Sequence, residues 1–475
     1  MVFPRSLRVN SLRSLATATQ NMLKQARSYQ DAIEALNKLQ TNQQYIKNAS
    51  AKPKAETNIA EVTKFLTRTG LSLETLDKLP IIHIAGTNGK GFTCAYCENI
   101  LRNHGYKTGF YSSPHLLDVR ERIRINGKPI SKNDFVTYFW RLYDMLDSQK
   151  TDPHDMPLYF RYMTILALHV FIEHKVDVAI LEVGIGGEFD CTNVVRNTIV
   201  AGITPLDFDH TSLLGASLES IAWNKGGIMK EGCLAFTTEQ PEDAMNVLQK
   251  RSVERKCTLK IVDKNYHTGN HNMRVPSHIQ KTNASLALAI TEAFIDKTTT
   301  NNNQRKHFSL DLAKKSIGQT HWPGDGAHTS ESMTICTNWF KEKTEDLNRK
   351  KGLIFNLTGD RNPEVFFKEL SKLKFDVVIF TPNVGSNKDP IDNTDYVLSM
   401  NHQIQRCQGY KKKWLEIVGD SQEKSNVVKV IPFFSSAVNF LESEGECDVL
   451  VTGSIHLIGA AMSVLDPTLN GLLAE

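Results

Sequence analysis

The chain has 475 residues, 40% of them hydrophobic and 23% charged, with a formal net charge of +4. That length exceeds what one core accommodates and predicts two domains. The small charge gives no case for nucleic-acid binding, and no apolar run nears the roughly eighteen residues a membrane span requires. A nucleotide or an acidic small molecule needs only local positive charge. Eight cysteines are scattered; the only pair close in sequence, Cys94 and Cys97, has no second pair to complete a zinc site. They read as buried residues of a reducing compartment.

Residues 1–27 carry Arg5, Arg8, Arg13, Lys24 and Arg27, with no acidic residue before Asp31. Leu and Val between the arginines permit an amphipathic helix, the composition of a mitochondrial transit peptide. Translation from Met22 would omit most of it and give a cytoplasmic form. After a polar segment, Asn48–Thr57, comes the most informative stretch of the chain. The apolar run Ile81–Ala85 leads straight into Gly86, Thr87, Asn88, Gly89, Lys90, Gly91 and Phe92. A buried strand ends there, glycines let backbone amides turn toward phosphate oxygens, and a lysine adds charge where a helix begins. The general P-loop pattern is not met, since Ile84 and Gly91 stand where it has Gly and Ser or Thr. Cys94, Ile100 and Leu101 continue with helical spacing to a stop at His104-Gly105.

Further runs rich in β-branched residues follow at Thr108–Tyr111, Val176–Val183, Thr198–Ile203, Leu353–Phe355, Val377–Phe380 and Val449–Thr452, with amphipathic stretches such as Phe135–Leu146 and Tyr162–Phe171 between them. The alternation predicts an α/β chain of parallel sheets wrapped by helices. Ligands of such sheets collect at the carboxyl ends of the strands. There the sequence places Ser113 after the second run, Glu182 and Gly184–Gly187 at the third, and Asp207, Asp209 and His210 after the fourth. A hydroxyl, a carboxylate and an imidazole on one sheet edge can hold magnesium, which takes few protein ligands and bridges phosphates. Singly, Ser113 also reads as a helix cap, Glu182 as an arginine partner and His210 as a hydrogen-bonded loop residue.

Lys225 lies between the apolar Ile221-Ala222-Trp223 and Gly226-Gly227. By spacing alone it reads as an exposed lysine at a helix end; if desolvated, its neutral amine can take up carbon dioxide as a carbamate. Polar segments Tyr266–Ser277 and Thr298–His307 mark loops, and His321-Trp322-Pro323-Gly324 marks a domain junction.

Several blocks together resemble the folylpolyglutamate synthases of the Mur-ligase superfamily: Tyr29–Asn42, Ile82–Thr93, Gly109–Ser131 (GFYSSPHLLDVRERIRINGKPIS), Tyr159–Phe171, Leu181–Asn193 (LEVGIGGEFDCTN), Asp209–Gly227, Asn283–Leu288, Asp325–Thr329 and Val451–Gly459. The resemblance implies a two-domain Mur-ligase-like fold. A P-loop or Rossmann-like ATPase domain over 28–322, with the folate site beside the Ser-Pro-His-Leu loop, precedes a smaller Rossmann-like domain over 323–475. It implies a monomeric ligase that uses ATP to add L-glutamate to the γ-carboxyl of a reduced folate through an acyl phosphate. Its cofactors would be ATP and magnesium, with room for a monovalent cation. Gly89, Lys90 and Gly91 would hold phosphates, and Ser113, Glu182 and His210 would bind magnesium. Lys225 resembles the family's carbamylated lysine and, with Lys90 and His210, would serve catalysis; Asn283 looks like an adenine-side contact. Asp325 and His328 look like ATP contacts of the second domain.

Two departures stand out. Phe92 replaces the family's Ser, with Thr93 next. Pro323-Gly324 runs directly into Asp325-Gly326-Ala327-His328, where the family has an ATP-binding arginine and a strand between. These departures motivate a second reading, a non-catalytic folate- or nucleotide-binding relative. Addition of glutamate to dihydropteroate, by the same chemistry, is a third.

Overall fold

The computed structural model describes residues 27–39, 57–266, 278–299, 307–320, 330–345, 347, 349–358, 361–386, 400–419 and 427–466. Eight strands form the first sheet: β1 Ile81–Ala85, β2 Thr108–Tyr111, β3 Ile123–Ile125, β4 Lys128–Pro129, β5 Val178–Glu182, β6 Val200–Ile203, β7 Leu234–Thr237 and β8 Thr258–Ile261. Their order is β4-β3-β2-β5-β1-β6-β7-β8, parallel except at the β2–β3 and β3–β4 pairings. From β1 the chain leaves to one side, to β2 beyond β5, and later returns to the other side at β6. The carboxyl end of β1 therefore sits at a topological switch point, where a crevice opens between diverging connections.

β1 is buried at every position because helices cover both faces of the sheet. Ile82 and Ile84 pack on the helices Lys90–Asn103 and His278–Thr299 through Cys94, Ile100, Leu286 and Ile290. Ile81 faces the opposite cluster with Phe65, Phe139 and Met163. His83 shares that second face, where its Nε2 meets Thr192 Oγ1 at 2.8 Å.

β9 Lys350–Phe355, β10 Val377–Phe380, β11 Val427–Val430 and β12 Cys447–Thr452 build a second, all-parallel sheet in the order β11-β10-β9-β12. Leu353, Phe355 and Phe380 pack with Phe367 and Trp414 on one face; Ile354, Val377 and Ile379 meet Phe434 and Leu457 on the other. The helix Leu310–Gln319 belongs to the first core and the helix Ser330–Thr344 to the second. The Gly324–Asp325 junction between them lies outside the described residues, as do Asp325, His328, residues 1–26 and most of the expected polar loops.

The expected runs at 81–85, 108–111 and 377–380 match strands residue for residue, and the others differ by a few residues at their ends. The strands β3, β4, β7, β8 and β11 fall outside those runs. Among the described residues no helix is long and apolar enough to cross a membrane.

Candidate active site

The phosphate-loop reading places anion-facing amides from Gly86 onward, and the structure narrows that set. The amides of Thr87 and Asn88 both donate to the Pro205 carbonyl, at 3.1 and 3.2 Å. Thr87 Oγ1 donates to the Asp207 carbonyl at 3.0 Å. The first half of the loop is thus tied to the segment after β6. Free donors begin at the helix Lys90–Asn103, whose first amides lack intrahelical acceptors and whose dipole points its positive end outward. Gly89 caps this helix at φ 84°, in the left-handed region. A Cβ there would drive into the Asn283 carboxamide. Asn283 therefore lies against the loop itself; it is fully buried, and neither its Oδ1 nor its Nδ2 has a hydrogen-bond partner in the protein. Asn88 is in the same state, and so is the hydroxyl of Thr93. Buried amides without partners cost about 1–3 kcal/mol each, so these side chains offer unused donors and acceptors beside the loop. The Phe92 ring instead packs beside Tyr96, with centroids 6.3 Å apart.

Glu182 closes β5 one register step from the end of β1, where Ile84 is its neighbour. Its Oε2 accepts the Ser113 amide at 3.1 Å, so the second and third expected ligand positions meet directly. His210 stands at φ 51° ahead of the short helix Thr211–Leu214, with Nε2 3.4 Å from Asp209 Oδ2. Burial, together with the cationic fields of Arg361, Lys90 and Lys225, holds the imidazole down to about 4 against the pull of Asp209. At neutral pH it is therefore the neutral ring, a lone-pair donor.

Lys225 corrects the expectation of an exposed lysine. It sits in the last turn of the helix Leu218–Gly226 with 4% of its surface exposed, and its Nζ donates to the Gly86 carbonyl at 2.6 Å. Burial and, to a smaller extent, neighbouring Lys90 lower its pKa from 10.5 to about 7 against the opposing pull of Asp209 and Asp190. Desolvation thus brings the nucleophilic neutral amine into the neutral pH range. The loop Gly184–Glu188 clamps the end of this helix: Glu188 N donates to the Asn224 carbonyl at 2.7 Å. A Cβ on Gly187 would sit 2.7 Å from that same oxygen, so only glycine fits. Glu188 is in turn gripped by Arg251 and Arg255. Among the described residues no three His, Cys, Asp or Glu side chains converge as a metal cage.

The chain is 35% identical over 543 aligned positions to the mitochondrial folylpolyglutamate synthase of Bos taurus, covering 93% of each protein. It is 36% identical to the folylpolyglutamate synthase of Neurospora crassa, covering 94% of this chain and 93% of the relative. The chain belongs to the folylpolyglutamate synthase family. No protein-family model matches it. In fold it is similar to the Mycobacterium tuberculosis folylpolyglutamate synthase solved with ADP, with a TM-score of 0.71 at 23% identity, over 92% of this chain and 98% of that one.

Several residues at the carboxyl ends of the second sheet's strands in this folylpolyglutamate synthase relative escape the sequence reading. Arg361, just beyond β9, reaches across from the second half of the chain to Asp209, with Nη2 3.3 Å from Oδ1. Thr381 and Asn383 after β10, and Ser454 after β12, keep buried side-chain oxygens without a protein hydrogen-bond partner. The helix that follows Ser454 lies so close to the first half that a Cβ on Gly459 would collide with the Leu116 carbonyl. The signal for all four was positional: each follows an apolar run at the carboxyl end of a parallel sheet.

Proposed function

We propose that this chain is an ATP-dependent ligase that adds L-glutamate to the γ-carboxyl of a reduced folate's glutamate tail. The carboxylate attacks the γ-phosphate of ATP to give an acyl phosphate; the amine of glutamate then displaces phosphate and forms the amide. The observation that carries the reading is Lys225, buried and bonded to the Gly86 carbonyl of the phosphate loop, on which Lys90 acts electrostatically. A carboxylate and a polyphosphate repel, so the reaction needs positive charge and amide donors fixed in place before they meet.

In this reading Lys90, the amides after Gly89, Asn88 and Asn283 hold the nucleotide. The donor set also fits a small hard cation: a carboxylate at Glu182, a hydroxyl at Ser113 and a neutral imidazole at His210, leaving positions for water and phosphate. Bound magnesium would neutralise phosphate charge there. The neutral amine of Lys225 adds carbon dioxide, losing one proton to become a carbamate, and so brings a second carboxylate to the site. Asp325 and His328 are assigned to ATP by family position alone. We assign residues 28–322 to the ATPase domain and 323–475 to the second, with Arg361 tying the two through Asp209. A mitochondrial destination is supported by the acid-free, arginine-bearing leader and by relatives whose names carry that compartment.

The test is incorporation of radiolabelled glutamate with ATP and tetrahydrofolate, or with dihydropteroate. Label on tetrahydrofolate with matching ADP release is expected. Label on dihydropteroate alone would mean the sibling activity. ATP and folate binding without turnover would mean the non-catalytic reading, which Phe92 in place of the family's Ser motivates.

A further inference from the structure

Cys233 and Cys257 are 24 residues apart in sequence yet adjacent in the fold, one residue before β7 and one before β8. The register pairs Leu234 with Thr258, and the bonding continues toward the strand starts: Thr258 N donates to the Cys233 carbonyl at 3.4 Å and Gly232 N to the Lys256 carbonyl at 3.1 Å. Matched positions of neighbouring parallel strands point to the same face. Both cysteines accordingly pack on the cluster that includes Ala235 and Leu248. Adjacent strands lie about 4.8 Å apart, inside the Cα separation a disulfide tolerates. Both are free thiols, and the Lys230 amide donates to Cys233 Sγ at 3.3 Å. Cys233 is buried, whereas Cys257 is partly exposed and is the sulfur a reagent meets first.

We propose that Cys233 and Cys257 form a reversible oxidation site, a thiol pair that a small-molecule disulfide such as oxidised glutathione converts to an intrachain disulfide. The Cys257 sulfur, after losing its proton, attacks one glutathione sulfur, and the other glutathione leaves as a thiolate. The Cys233 thiolate then attacks Cys257 Sγ and expels the second glutathione. Two protein thiols are oxidised, one glutathione disulfide is reduced to two thiols, and the protons released at the cysteines end on those thiols. Cys94 and Cys97 differ: they are fully buried on one helix, and burial raises both thiols.

The site lies at the amino ends of the strands, the opposite sheet edge from the phosphate loop. The bond would tie β8, a mostly exposed edge strand with β7 as its sole sheet neighbour, to the body of the sheet. A disulfide with one partly exposed sulfur is accessible to a thiol reductant, so the modification is reversible.

The full-length protein is equilibrated in glutathione buffers from reduced to oxidised, quenched by alkylation and digested without reductant, with near-ultraviolet circular dichroism recording the fold at each ratio. The expected product is a linked peptide pair about 2 Da lighter than the reduced peptides combined. It vanishes with dithiothreitol and is absent from Cys233→Ser and Cys257→Ser. In Cys233→Ser a glutathione adduct on Cys257 replaces it, and ligase activity stays at the wild-type level. Glutathione on Cys257 without any linked pair in the folded wild type would overturn the proposal. So would a linked pair that forms only once the circular dichroism shows unfolding.

Discussion

Lys225→Met tests the electrostatic reading of the site most directly. A lysine whose pKa falls from 10.5 to about 7 on folding destabilises the fold while its buried amine is charged, and stability rises with pH wherever only the unfolded chain keeps the proton. Below pH 7 both states are protonated and the full penalty applies, about 5 kcal/mol for a fall from 10.5 to about 7. Above 10.5 both are neutral and the penalty vanishes. Between pH 7 and 9 the wild type should therefore gain roughly 2 kcal/mol of stability relative to Lys225→Met, which does not titrate there. At pH 7 the methionine variant should be the more stable protein, because it removes a desolvated charge at the cost of one hydrogen bond of about 1 kcal/mol to Gly86. Its turnover should nevertheless fall at least about a hundredfold, the scale for loss of a placed electrostatic group. Urea unfolding of both proteins at pH 7, 8 and 9 in carbon-dioxide-free buffer measures the first effect, and glutamate incorporation the second. Parallel stability profiles would show that Lys225 holds an ordinary charge, and the carbamate would fall with it. Carbon-13 NMR of wild type in labelled bicarbonate should show a carbamate resonance that Lys225→Met lacks.

Asn283→Ala should weaken binding of a non-hydrolysable ATP analogue at least tenfold while leaving the apo protein no less stable to within about 1 kcal/mol, since it removes two buried polar atoms without partners; calorimetry of both states checks this. Arg361→Met cuts the link to Asp209 and should lower turnover by about tenfold or more, with the melting free energy shifted by less than about 1 kcal/mol because the pair is partly exposed. His83 is buried, and burial, with a smaller contribution from Lys230, depresses its pKa from 6.5 to about 3. Its stabilising neutral state is intact above pH 6.5 and is lost as pH falls toward 3. The wild type should thus lose roughly 2 kcal/mol more than His83→Gln between pH 6.5 and 4.5 in urea titrations.

The parts of the fold that were legible share a physical cause. Ile81–Ala85 and Val377–Phe380 are buried on both faces, so their unbroken apolar character sets the strand ends. β8 is mostly exposed, and its Thr258-Leu259-Lys260-Ile261 has too little apolar contrast to stand out. The β3–β4 hairpin had a signal that went unused: Asn126-Gly127 turn it, both at positive φ. Lys225 was misjudged because a glycine pair after a lysine looks the same in sequence whether the helix end meets solvent or the loop Gly184–Glu188.

The sequence by itself determined the alternation of strands and helices, the phosphate loop with its lysine, and the family, because these rest on local periodicity and on contiguous blocks. Only the tertiary structure decided which donors the loop keeps free, that Lys225 is buried against Gly86, that Arg361 reaches Asp209 and that Cys233 meets Cys257. Each of these depends on strand order and on which segments cover one another. Burial and neighbouring charge are properties of that three-dimensional surrounding, and they set the protonation state on which the chemistry turns.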